Sequence, residues 1–177
     1  AIVSVGDTMR SAFSSLYESV GINQVVIYMG YVDDWRETDA FTLDDIEKIK
    51  EVFGDRIDYI APSYSSSAEV TYRRTTIKAY AQMLDAGYEQ VQPMEILYGR
   101  MIDQNDVNSA KAHVVIERKT ALNLFGRENV VGETLKIKAE GEIDDFQIIG
   151  VYKEVENPLM ALMGGQSDDV IYVPYSK

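Results

Sequence analysis

Apolar residues in this chain come in short runs. The longest, residues 25–32, has eight members and is interrupted by Gly30. That is far below the roughly 18 residues needed to span a bilayer. A core must therefore be assembled from many brief elements, and the spacing of apolar residues predicts which kind each one is.

Val5, Met9, Phe13, Leu16, Tyr17 and Val20 recur at helical spacing, and Gly21 stands where a left-handed cap closes a helix. Residues 23–30 are β-branched and apolar and read as a buried strand; residues 33–40 form an acidic connection. Thr42 caps a second helix with Asp45 three positions on, a capping-box pattern, and Leu43, Ile46, Ile49 and Phe53 give that helix its inward stripe up to Gly54. A strand is expected over residues 57–61, closed by Pro62, and a turn or mobile tip over residues 64–67, which are Tyr-Ser-Ser-Ser. Residues 69–81, rich in Thr, Tyr and Val with charges between, suit one exposed strand with a wet face.

The second half changes rhythm. Residues 94–97 are a short apolar stretch leading to Gly99 and Arg100. Residues 114–116 read as a strand, followed by a helix through Leu122 and Phe125 that stops at Gly126. Residues 134–138 and 146–152 are two strands joined across Gly141, a hairpin signal. A long loop follows over residues 153–169, then a last strand at 170–173 before Pro174. The expected class is α+β.

Charge and composition remove several functions. The 177 residues carry 29 acids against 17 Lys and Arg, a net charge of −12. That field repels phosphate backbones and anionic bilayers, so nucleic acid is not an expected partner. With no cysteine there is no disulfide, thiolate nucleophile or Cys-type metal site. His113 is the single histidine. The chain opens on Ala1 inside a predicted helix, so a soluble piece of a longer protein is expected.

The order of motifs in the second half is specific. Leu124-Phe125-Gly126, Val131-Gly132, Ile149-Gly150-Val151 and Ile171-Tyr172-Val173-Pro174 follow one another at the right intervals. Gly21-Ile22-Asn23, Thr42 to Ile46 with its acidic pair Asp44-Asp45, and Gly99-Arg100 precede them. This series resembles the extracytoplasmic (periplasmic) core domain of MacB/FtsX/LolC-type ABC transporter permeases, over nearly the whole chain.

The resemblance implies an elongated MacB-like periplasmic core domain of two mixed α/β subdomains, porter-like and sabre-like. Residues 1–98 plus 170–177 would be membrane-proximal and residues 99–169 a distal insertion. It implies a module held outside the cell membrane between membrane helices that lie beyond this chain. A family strand–helix–strand stretch would follow the last strand, and the chain is expected to be truncated at Lys177. The implied partners are a cognate ABC ATPase domain or subunit, reached through the membrane part, a second permease copy or paralogue, and an adaptor or lipoprotein. No phosphate-binding loop is present in the sequence, which fits a separate ATPase. No cofactor and no enzymatic activity are expected of the domain. Its helix over residues 3–20 would act as a stalk that couples cytoplasmic ATP hydrolysis to export, lipoprotein handling or mechanical signalling.

Two surfaces are the expected coupling sites: Phe13, Leu16 and Tyr17 on the stalk, and the loop residues Leu159, Met160, Leu162 and Met163, whose soft side chains suit an adaptable contact. Other features invite sharper chemistry. His113 with Asp103 or Asp106 has the makings of a catalytic or metal pair, although a lone histidine opening an apolar strand is usually a satisfied edge residue. Asp103, Asn105 and Asp106 resemble a calcium loop but fail it, because Val107 and Asn108 follow where a ligand and a glycine belong. Asp33, Asp34, Glu37 and Asp39 read as a solvated acidic run. Ser65, Ser66 and Ser67 lack a nucleophile elbow. Twelve tyrosines, with Tyr28, Tyr31, Trp35, Tyr59, Tyr64 and Tyr72 foremost, suit a glycan or peptide surface, which leaves a free-standing secreted acidic binding module as the alternative.

Overall fold

A computed structural model of the chain describes residues 42–57, 59–60, 64–90, 92, 94–153 and 168–176. The predicted stalk helix, the strand at 23–30 and all seven candidate coupling residues (Phe13, Leu16, Tyr17, Leu159, Met160, Leu162 and Met163) lie outside the described residues.

The first described helix, α1 (Leu43–Phe53), begins with the capping box read from the sequence. The Thr42 hydroxyl oxygen accepts from the Asp45 N–H at 3.3 Å, and the Asp45 carboxylate accepts from the Thr42 N–H at 3.0 Å. Gly54 ends α1 at φ 50°, and a short 3-10 turn follows over Gly54–Arg56. Ile46 and Ile49 are half-buried, whereas Phe53 is exposed. The strand expected over 57–61 does not form at its described residues. Instead the Tyr59 hydroxyl accepts from the Asp85 N–H and donates to the Asp85 carbonyl, at 3.2 and 3.3 Å. A side chain, not a ladder, ties this segment down.

The expected serine turn is a strand. β1 (Tyr64–Tyr72) pairs antiparallel with β2 (Thr75–Leu84) from Tyr64 opposite Met83 to Tyr72 opposite Thr75. The cross-strand ladder satisfies the serine backbones and overrides their turn preference. The single wet strand expected over 69–81 is thus a hairpin turning at Arg73 and Arg74. Its alternation holds, with Ala68, Val70, Ala79 and Ala81 buried and Glu69 and Lys78 outside.

β3 (Ile96–Gly99), α2 (Gln104–Asn108), β4 (His113–Glu117) and α3 (Arg118–Phe125) come next. Gly126 caps α3 in the left-handed region at φ 69°. β5 (Thr134–Ala139) and β6 (Glu142–Tyr152) form the foreseen hairpin, and β7 (Asp169–Pro174) completes the described strands.

These strands make one mixed sheet of seven in the order β3-β6-β4-β7-β2-β1-β5, and β5 also pairs with β6. The sheet therefore closes on itself through six strands, with β3 added outside the ring. The length of β6 makes this possible. Its first half, Glu142 to Gln147, pairs with β5, and its second half runs between β4 and β3. A register shift between Val114 and Val115 lets β4 follow the bend of β6. Strands from both expected subdomains share the sheet, since β1 pairs with β5 and β4 with β7. The described architecture is α+β.

β4 shows where the two cores lie. Val114 and Ile116 enter a cluster with Val70, Leu135 and Ile148, while Val115 points the other way, to Met101, Val107, Tyr152 and Tyr172. All three β4 side chains are fully buried. Each contributes about 1.5–3 kcal/mol of apolar burial. This two-sided burial explains why the strand reads as a continuous apolar run.

Candidate functional site

Two sequence motifs meet back to back. Gly99 of Gly99-Arg100 sits opposite Gly150 of Ile149-Gly150-Val151. A Cβ on Gly99 would strike the Ile149 carbonyl, and one on Gly150 would strike the Arg100 carbonyl. Only glycine allows this approach. It lets the Arg100 N–H donate to the Ile149 carbonyl at 3.0 Å and sends the Arg100 side chain off the end of β3.

That side chain finds Asp106, whose carboxylate is fully buried. Arg100 donates to it through both terminal nitrogens, at 2.6 and 3.1 Å, and also donates to the Met101 carbonyl at 2.8 Å. Asp106 also accepts from the Asp103 N–H at 3.1 Å, closing the capping box of α2. His113 Nδ1 lies 2.8 Å from the Asp106 Oδ1, and Lys111 Nζ is 3.9 Å away. Of the two partners suggested for His113, the structure selects Asp106. Burial opposes ionisation of Asp106, but the Arg100 fork, the Asp103 N–H and His113 outweigh it and hold the carboxyl well below the usual range. The calcium-like spacing of Asp103 and Asp106 is thereby explained as a helix cap: Asp103 Oδ1 accepts from the N–H groups of Asn105 and Asp106. Among the described residues no cluster of His, Asp and Glu is arranged to hold a metal ion. Asp106 is engaged by β3, α2 and β4 at once, so the arrangement locks three elements together.

A second polar cluster escaped the sequence reading. Glu117, buried at the end of β4, accepts from the Val170 N–H at 3.2 Å and pairs with Lys119 at 3.1 Å. Lys119 also reaches Asp169 at 3.3 Å and donates to the Asp168 carbonyl at 3.1 Å, while the Thr120 hydroxyl donates to Asp169 at 2.9 Å. Burial pushes the Glu117 carboxyl above its usual range despite Lys119. The cluster fixes the start of β7. Its only sequence signal is the run Glu117-Arg118-Lys119.

The tyrosines are spread through the fold. Tyr59, Tyr88, Tyr172 and Tyr152 form a ladder with ring centroids 6.0, 5.8 and 5.1 Å apart. Tyr152 donates to the Val170 carbonyl at 3.1 Å. Tyr72 stacks on Phe125, and exposed Tyr64 donates to Glu140. Tyr59 and Tyr72 are half-buried and serve packing, so the described members of the tyrosine set do not share one platform. Tyr28, Tyr31 and Trp35 lie outside the described residues. Open hollows lie among the described residues. One of about 380 Å³ includes Glu69, Lys78, Tyr80 and Lys138; another, of about 540 Å³, includes Glu89, Arg100, Asp103 and Gln104.

Comparison with known proteins gives a consistent picture. A family model described as the MacB-like periplasmic core domain matches residues 1–177. The macrolide export ATP-binding/permease protein MacB of Hahella chejuensis is 24% identical over 183 aligned residues, covering 99% of this chain and 26% of that protein. Its namesake in Neisseria meningitidis serogroup B is 26% identical over 183, with the same coverage of 99% and 26%. The chain thus spans about 26% of the length of these relatives. Among solved structures, the extracellular domain of the noncanonic ABC-type transporter YknZ from Gram-positive bacteria aligns at a TM-score of 0.59 and 27% identity, over 76% of this chain and 63% of that one. The periplasmic region of MacB from Actinobacillus actinomycetemcomitans shares the fold at a TM-score of 0.53 and 22% identity, over 74% and 55%.

Proposed function

Because the chain belongs to the family of MacB-like periplasmic core domains, we propose that it is the extracytoplasmic domain of an ABC transporter permease subunit in the cell membrane. In this reading the domain performs no chemistry of its own. It couples ATP hydrolysis on the cytoplasmic side to export, through the helix predicted over residues 3–20. The observation that carries the reading is the family match along all 177 residues. That its MacB relatives are macrolide export ATP-binding/permease proteins supports export over lipoprotein handling or mechanical signalling. The same match favours a permease domain over a free-standing secreted binding module.

The described structure suits such a role. A sheet closed through six strands, packed on both faces and locked by Arg100–Asp106–His113, responds to a push as one body. The partners in this reading are a cognate ATPase domain or subunit, a second permease copy or paralogue, and an adaptor or lipoprotein. Porter-like and sabre-like subdomains belong to the same proposal.

Phe13→Asp in the complete transporter tests the coupling. Nucleotide binding is expected to persist while transport falls at unchanged ATP hydrolysis. Transport equal to that of the unaltered protein would sink the stalk role.

A further inference from the structure

β1 and β2 are joined by only two residues, Arg73 and Arg74, with Tyr72 opposite Thr75. Two-residue hairpin connections favour glycine, asparagine and aspartate, because they need positive φ. Here Arg73 adopts φ 55°, a region long L side chains seldom occupy. Glycine at position 73 would make the turn with less strain, so Arg73 calls for a reason beyond folding.

Their setting supplies one. The Arg73 guanidinium lies 5.1 Å from the centroid of the Tyr72 ring, and that ring stacks on Phe125 at 3.9 Å. Tyr72 and Phe125 both pack on the larger core cluster, so the cation rests on a rigid aromatic base. Both arginines are exposed. Among the described residues neither forms an ion pair, whereas Arg127, Lys136 and Lys138 are matched to Glu133, Asp145 and Glu69. This basic tip stands on a chain of net charge −12.

We propose that the Arg73–Arg74 tip is a docking point for an acidic segment of a partner protein. Guanidinium forks pair with carboxylates, and arginine and tyrosine are both enriched among the residues that anchor protein contacts. A broad polyanion fits less well. A bilayer or nucleic acid brought to the tip also meets the acidic remainder of the surface and is repelled. The inference is independent of the transport reading.

The test titrates the chain with a hexaglutamate peptide, following its amide NMR spectrum and the anisotropy of a fluorescent label on the peptide. Phosphatidylglycerol vesicles serve as the competing anion. Shifts are expected at residues 72–75. The double variant Arg73→Gly/Arg74→Ser, which relieves the positive φ at residue 73, is expected to keep its circular dichroism and melting temperature or raise the latter. It should bind the peptide roughly tenfold more weakly, the loss of two exposed charge pairs. Absent peptide binding, shifts confined elsewhere, or equal affinity in the double variant overturns the proposal. So does binding to vesicles in place of the peptide.

Discussion

Replacing Asp106 by Asn removes the charge at the centre of the buried cluster while keeping its shape. One of the two acceptor positions then becomes a donor. On one side that donor faces Arg100 and the Asp103 N–H; on the other it faces Arg100 and His113. Either orientation sets donor against donor inside a fully buried site. Breaking a buried ion pair costs about 3–5 kcal/mol. Arg100 is half-exposed and regains water, which lowers the expectation to about 2–3 kcal/mol. In a chain of this size the loss corresponds to a melting temperature lower by roughly 4–12 °C. Urea unfolding followed by circular dichroism measures it, and pH supplies the sharper control. The folded carboxyl of Asp106 sits below its ordinary range, so the folded state stays ionised where the unfolded state takes up a proton. Its stabilisation is complete above the ordinary aspartate value of about 3.9 and is lost as pH falls through the lower folded value. The gap between parent and Asp106→Asn should therefore narrow on going from about pH 7 to about pH 3. A gap below about 0.5 kcal/mol at neutral pH, or one that stays constant on acidification, would refute the reasoning.

The glycine pair and the tyrosine ladder make further predictions. Gly150→Ala drives a Cβ into the Arg100 carbonyl, whereas Gly141→Ala at φ 91° meets open space. The first should cost about 3 kcal/mol or more in urea unfolding and the second only about 1–2 kcal/mol of backbone strain; equal losses would show that β3 and β6 relax apart. Burial raises the Tyr172 hydroxyl to about 12 and Tyr152 further still. Stability held below the ordinary tyrosine value of about 10 is thus lost as pH rises toward the folded value. Tyrosinate absorbance should lag in the folded chain, and ionisation of every tyrosine near pH 10 without unfolding would contradict the ladder. Thr42→Ala should cost about 1 kcal/mol and speed amide exchange at the start of α1; unchanged exchange there would deny the cap its role.

Local chemistry was legible where a signal lies within a few residues. Thr42 with Asp45, Gly126 after Leu124-Phe125, and Gly141 between two alternating strands all announced their structures. The serine strand was not legible, because pairing with residues 80–83 decides its fate and leaves no local mark. The turn at Arg73 was hidden for the opposite reason, since it lacks the Gly or Asn that usually betrays one. Ring closure depends on one strand, β6, serving two neighbours in succession along an edge. Such long-range pairing is invisible to periodicity. In the buried cluster, the sequence suggests His113 with Asp106, but Arg100 stands out only as part of the Gly99-Arg100 motif. Asp103 with Asp106 three residues on is itself a capping-box spacing, and that signal was open to being read as a cap. The seven candidate coupling residues lie outside the described residues, so they rest on the sequence and the family.

Membrane topology decides whether this is a permease domain. Reporter fusions placed before Ala1 and after Lys177 in the complete natural reading frame would report which side of the membrane each lies on. This domain is expected outside the cytoplasm, with a membrane helix before it and further spans after it. A cleaved signal peptide with no other span, or a cytoplasmic location for this domain, would contradict that reading.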